Sequence, residues 1–168
     1  FCEGARIIQP AGFSPKDTIV RTEVPAHVPR NPNYDAFLET LAQNPAAMET
    51  LDEPHRYDPE QVFYIRNART DADGNTAYMM RRVEGDAFHI AYNTRDFPKT
   101  VRWIMANQDQ KVAAFALPST CEPEGFNAEK AKGHVISLQS GECRHFSVKL
   151  GYMTQAESET AEQAIRSL

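Results

Sequence analysis

Three cysteines, Cys2, Cys121 and Cys143, are all the chain contains in 168 residues. An odd number with no CxxC spacing supports neither a disulfide framework nor a structural zinc site, and free thiols in a reducing compartment, the cytoplasm, are expected. Glycine is also sparse, at eight residues. Gly125, Gly133 and Gly141 stand singly at turns, so no glycine-rich phosphate loop is present. No GxSxG occurs, and neither Cys121 nor Cys143 has a patterned histidine partner. The five histidines, His27, His55, His89, His134 and His145, include no HxH or i,i+4 pair, so no metal centre and no cofactor is expected. Positive charge is not in excess. The net charge of −5 argues against binding nucleic acid or an anionic membrane surface. No apolar run approaches the roughly 20 residues that a membrane span requires, and no basic segment precedes an apolar one at the start.

What is present is the composition of a globular domain, 41% hydrophobic, with strands as its strongest signal. Residues 60–66 are rich in β-branched and aromatic side chains, and 76–83 read as a returning strand after the turn cluster Asp71 to Gly74, a hairpin with a long loop. In 87–92, Phe88, Ile90 and Tyr92 alternate with Ala87, His89 and Ala91. In 99–105, Val101, Trp103 and Met105 alternate with Thr100, Arg102 and Ile104. The continuous apolar stretch 111–117 predicts a strand buried on both faces, and 134–138 a short strand. Phe146, Val148, Leu150 and Tyr152 give the cleanest period of two. Turn signals every 8 to 12 residues or so fit an antiparallel sandwich or barrel rather than βαβ units. Two segments read as helical: 34–43, with Phe37, Leu38 and Leu41 on one side, and 155–168, polar and rich in Ala and Glu. Stretches around Pro25, Pro29 and Pro32, and around Pro54 and Pro59, read as long irregular loops, which in β domains often carry function.

Candidate chemistry concentrates in loop carboxylates. Glu60 opens a strand directly after a loop holding His55, Arg56 and Asp58, and the four could gather at one sheet edge as a polar pocket or remain a solvated loop. Glu122 and Glu124 form a second acidic loop after a strand. Trp103, the only tryptophan, is a core residue by default and a sugar-stacking platform as the alternative.

Five segments in order resemble the galactose mutarotase (aldose 1-epimerase) superfamily, in its aldose-1-epimerase-like branch. They are Gly4-Ala5-Arg6 with Pro10; Glu60-Gln61-Val62-Phe63; the turn Asp71 to Gly74; Phe97-Pro98 with Trp103; and Ala116 to Thr120 through Gly125, followed by Leu138 and Gly141-Glu142. The resemblance runs from about residue 1 to 153, the C-terminal part of such a fold, with 154–168 as a polar tail. It implies an all-β antiparallel sandwich of the galactose mutarotase type with short helices in loops and at the C-terminus. It implies a sugar ligand, and a reaction in which a carboxylate and a histidine open and reclose the ring to interconvert anomers.

Residue by residue, the family's catalytic histidine would fall upstream of Phe1, and the position of its catalytic base is Leu117, before Pro118. Leucine accepts no proton. Glu60 aligns with a sugar-binding acidic position, and Glu60, Glu122 and His55 are the candidates for catalysis. Glu60, His55, Arg56 and Trp103 are the candidates for holding the sugar. Two functional readings result: a mutarotase-like isomerase, and a non-catalytic sugar-binding or regulatory sandwich. A partial sandwich would also leave an apolar inner face uncovered, so an N-terminal part of the same protein or a second copy is expected to pair with it.

Overall fold

The computed structural model describes residues 1–10, 32–58 and 60–168. His27, the loop around Pro25 and Pro29, and Pro59 lie outside the described residues. Eight strands and three helices are described: β1 (Ala5–Ile8), α1 (Pro32–Gln43), β2 (Thr50–Leu51), β3 (Gln61–Ile65), β4 (Asn75–Arg81), β5 (Ala87–Asn93), β6 (Lys99–Ala106), β7 (Lys111–Ser119), α2 (Phe126–Ala131), β8 (Val148–Met153) and α3 (Gln155–Arg166). Short 3-10 turns span Pro45–Glu49 and Pro54–Tyr57. The strands form two antiparallel sheets, one of five strands in the order β2-β1-β4-β5-β8 and one of three in the order β3-β6-β7. The fold is mainly β, with the two sheets packed as a sandwich, as the strand rhythm predicts. Among the described residues no helix is long and apolar enough to cross a membrane.

Between the sheets, Ile7, Leu51 and Met80 of the larger sheet meet Phe63, Ile104 and Ala106 of the smaller, with Phe37 and Leu41 of α1 and Met48 and Tyr57 closing one end. Farther along, Tyr78, Ile90 and Tyr92 pack on Ile65 and Ala116. One charged group sits inside this core. Arg102 is fully buried; its Nε donates to the Phe115 carbonyl (2.8 Å) and its Nη2 to Gln9 Oε1 (2.9 Å), while Gln9 Nε2 donates to Glu49 (2.9 Å). Desolvation brings its pKa down to about 10, so the guanidinium stays charged at neutral pH.

Four expectations need correction. β3 and β4 are not a hairpin: β3 pairs with β6 in the other sheet. The turn cluster closes the β4–β5 ladder instead, because Asp71 Oδ1 accepts the backbone N–H groups of Asp73 and Asn75, and Asn93 Nδ2 reaches the Asp73 carbonyl (2.9 Å). Gly74 at φ +88° permits that turn. β7 is not buried on both faces; it is the edge of the three-stranded sheet, with only Ala116 buried. Residues 134–138 form no strand, since Gly133 at φ +75° turns the chain away. Pro32 opens α1, a first-turn position that needs no backbone N–H.

α3 packs on the outer face of the larger sheet. Ile165 meets Ile8, Met79 and Ala87 there, and Ala161 packs beside them. Thr154 and Glu157 form a capping box at its start, and Glu162 takes Arg6 (2.7 Å) and Arg81 (3.1 Å). On the inner face, Phe88, Ile90 and Tyr92 lie opposite Tyr152, Leu150 and Val148. The smaller sheet covers Ile90 and Tyr92 but not β8, so Leu150 is 76% exposed.

Candidate functional site

The outer face of the three-stranded sheet collects the sequence candidates. Cross-strand partners share a face, so the pairs Val62–Trp103, Tyr64–Val101, Trp103–Ala114 and Val101–Leu117 place all these side chains on one surface. An irregularity between Val101 and Trp103, where β7 carries one extra residue, brings Leu117 onto that surface at 41% exposure. Glu60 and Arg66 flank the same row along β3, about 20 Å apart at the usual strand rise.

At the Glu60 end, the Trp103 indole Nε1–H donates to Glu60 Oε2, and both residues are half-buried. No hydrogen bond among the described residues engages Glu60 Oε1. His55 and Arg56 do not join them by any hydrogen bond or ion pair. His55 is exposed, its Nε2 3.3 Å from Glu53. Arg56 donates to Asp52 (3.0 Å) and Glu53 and lies over the Phe37 ring at 5.1 Å, which ties it to α1. Asp58 is exposed. The loop carboxylates and cations therefore satisfy one another locally instead of lining a common pocket.

At the other end stands a network the sequence reading missed. Glu122, 1% exposed, takes both Nε and Nη2 of Arg66 (Nη2 at 2.8 Å) and the Lys132 ammonium (2.8 Å). Lys132 also reaches Glu124 (2.6 Å) and Glu129 (3.0 Å), and Glu129 Oε2 accepts the Glu122 backbone N–H (2.9 Å) and lies 2.7 Å from His134 Nδ1. Burial works to raise the Glu122 carboxyl, yet the hydrogen bonds from Arg66 and Lys132 prevail and hold it at about 2. The same contest leaves Glu129 below, and Lys132 above, their ordinary ranges. Local backbone chemistry assembles the group: His134 N–H bonds the Glu129 carbonyl (2.9 Å) and Gly133 N–H that of Lys130 (3.1 Å), the two bonds of a Schellman cap. Glycine two places after an acidic helical turn is the signal that could have revealed it.

Ligand atoms of Glu122, Glu129 and His134 lie within 4.8 Å of one another, a spacing a metal ion could use. Lys132 already stands among them as the cation, bonded to both carboxylates. A divalent ion would have to displace an ammonium already bonded to both carboxylates, so the cluster fits an ion-pair network better than a metal centre. Glu122 is equally unsuited to proton transfer near neutral pH, because its pKa is far below that range. Elsewhere, His89 is half-buried on β5, where burial pushes its pKa down, and His145 is exposed.

A family model described as a domain of unknown function, DUF4432, matches residues 17–152, which take in both sheets from β2 nearly to the end of β8. The chain belongs to the DUF4432 family. No curated protein and no solved structure matches it. Both ends of the DUF4432 surface, Glu60 with Trp103 and Arg66 with the Glu122 network, fall within the matched stretch.

Proposed function

We propose that this DUF4432 domain binds a carbohydrate on the outer face of its three-stranded sheet, without catalysing anomer interconversion by itself. The observation that carries the reading is the Glu60–Trp103 pair: an indole and a carboxylate locked together, both half-buried, on the outer face of the sheet, with no hydrogen bond to Glu60 Oε1 among the described residues. An aromatic surface suits the apolar side of a pyranose, and a charged acceptor suits its hydroxyls. The resemblance to the galactose mutarotase superfamily supports the same ligand class. Against turnover stands Leu117, exposed on this very surface at the position where that superfamily carries its base. Glu122, the other candidate, is held ionised by Arg66 and Lys132 and offers no proton near neutral pH.

Calorimetric titration with common aldoses, paired with polarimetry of pure α-anomers, tests the proposal. Binding without accelerated mutarotation is expected, with Trp103→Ala and Glu60→Gln each weakening it at least tenfold. Heat-silent titrations for every aldose would refute sugar binding. Accelerated mutarotation would refute the non-catalytic reading and favour the isomerase. Leu117→Glu then asks whether an acceptor at that point of the surface creates turnover.

A further inference from the structure

Beside the acidic network, the chain between α2 and β8 walls a cavity of about 320 Å³, at the lower end of the range for small-ligand sites. Its two sides differ in chemistry. Ile136, Leu138 and Phe146 form an apolar wall; Cys121, His134 and Arg144 supply the polar groups. The Arg144 guanidinium lies over the Phe146 ring at 5.3 Å and pairs with no carboxylate among the described residues. His134 is oriented from behind: with Glu129 present as the carboxylate, Nδ1 carries the hydrogen between them (2.7 Å), and no hydrogen bond among the described residues engages Nε2.

We propose that this cavity binds a small monocarboxylate with an apolar body, its carboxylate on Arg144 and its hydrocarbon part against Ile136, Leu138 and Phe146. The mostly carbon lining disfavours a sugar, whose hydroxyls would lose water without finding partners. A single planar guanidinium, with no lysine beside it in the cavity lining, matches one carboxylate fork better than a doubly charged phosphate. Stacking on Phe146 holds the guanidinium at the wall, so the charge and the apolar surface are presented together. The cavity adjoins the Glu122 end of the proposed sugar-binding surface, but the inference does not depend on that reading.

Phenylacetate, titrated into the 168-residue chain, is the probe, and phenylacetamide is its neutral counterpart. Phenylacetate is expected to bind in the millimolar range, as suits so small a ligand, and phenylacetamide at least tenfold more weakly. Arg144→Gln removes the charge at an exposed position and is expected to cost tenfold; Leu138→Asp, which puts a carboxylate in the wall, is expected to cost as much. Alkylation by iodoacetamide locates the ligand, because Cys121 lines the cavity half-buried while Cys143 is exposed and outside the lining. Saturating phenylacetate is expected to slow modification of Cys121 at least fivefold and leave Cys143 unchanged. Equal binding of acid and amide, an Arg144→Gln variant that binds as the parent does, or binding without protection of Cys121 would each overturn the proposal.

Discussion

Replacing Glu122 by glutamine tests a buried carboxylate that accepts three hydrogen bonds from two cations, Arg66 and Lys132. Its pKa is about 2 in the folded chain against an ordinary value of 4.5. Because the folded value is the lower, the ionised carboxylate stabilises the fold fully above the unfolded pKa, and that contribution disappears as pH falls through the folded pKa. A depression of this size corresponds to about 3 kcal/mol at neutral pH, of which about half remains near pH 3. Breaking a buried pair while its partners stay in place costs a similar amount, about 3 to 5 kcal/mol. For a chain of this length, a loss of about 3 kcal/mol lowers the melting temperature by roughly 6 to 12 °C. The assay is thermal melting followed by circular dichroism, on parent and Glu122→Gln, from pH 7 down to pH 3. Other carboxylates titrate in both proteins, so the difference between the two curves belongs to Glu122 and its partners. A gap of several degrees that holds from pH 7 to about pH 4.5 and then narrows towards pH 3 is expected. A pH-independent gap, or none at neutral pH, would refute the electrostatic account and leave Glu122 a packing residue.

Thr154→Ala removes the side-chain half of the capping box at the start of α3 and is expected to cost about 1 kcal/mol, with fraying of α3 seen as faster amide exchange near Glu157. Gly74→Ala forces a Cβ into a φ of +88°, 3.2 Å from Asn93 Oδ1, and is expected to destabilise by about 1 kcal/mol or more in a urea titration. Of the three cysteines, Cys143 is the exposed one and is expected to react first with iodoacetamide, with Cys2 and Cys121 following, as peptide mass mapping would report.

Strand positions were legible because alternation is a local property. The alternating run 87–92 became β5 at Ala87–Asn93, with Ile90 and Tyr92 inward as the pattern requires. The helix read at 34–43 appeared with two further residues at its start, since proline is tolerated there. Partnership was not local. Nothing in residues 60–83 says that β3 and β4 belong to opposite sheets; that depends on Phe63 meeting Met80, and Ile65 meeting Tyr78 and Ile90, across the core. Hydrophobicity alone also misjudged 111–117 and 134–138, because an apolar run reports affinity for a neighbour and does not say whether one is there.

The same division runs through the site. Glu60 and Trp103 could be picked out in the sequence by residue type, and Leu117 only through the family resemblance. Only the register of β3, β6 and β7 decided that they share one surface, and that His55 and Arg56 turn away to Glu53, Asp52 and Phe37. Glu122 was visible as an acidic loop residue, but its burial between Arg66 and Lys132 converts it from a candidate base into a fixed anion. Residue type and spacing thus determined an all-β chain with a short list of reactive side chains. Which of those side chains meet, and at what protonation, was decided by tertiary contacts between residues as much as 56 positions apart, because hydrogen bonding and desolvation act through space rather than along the chain.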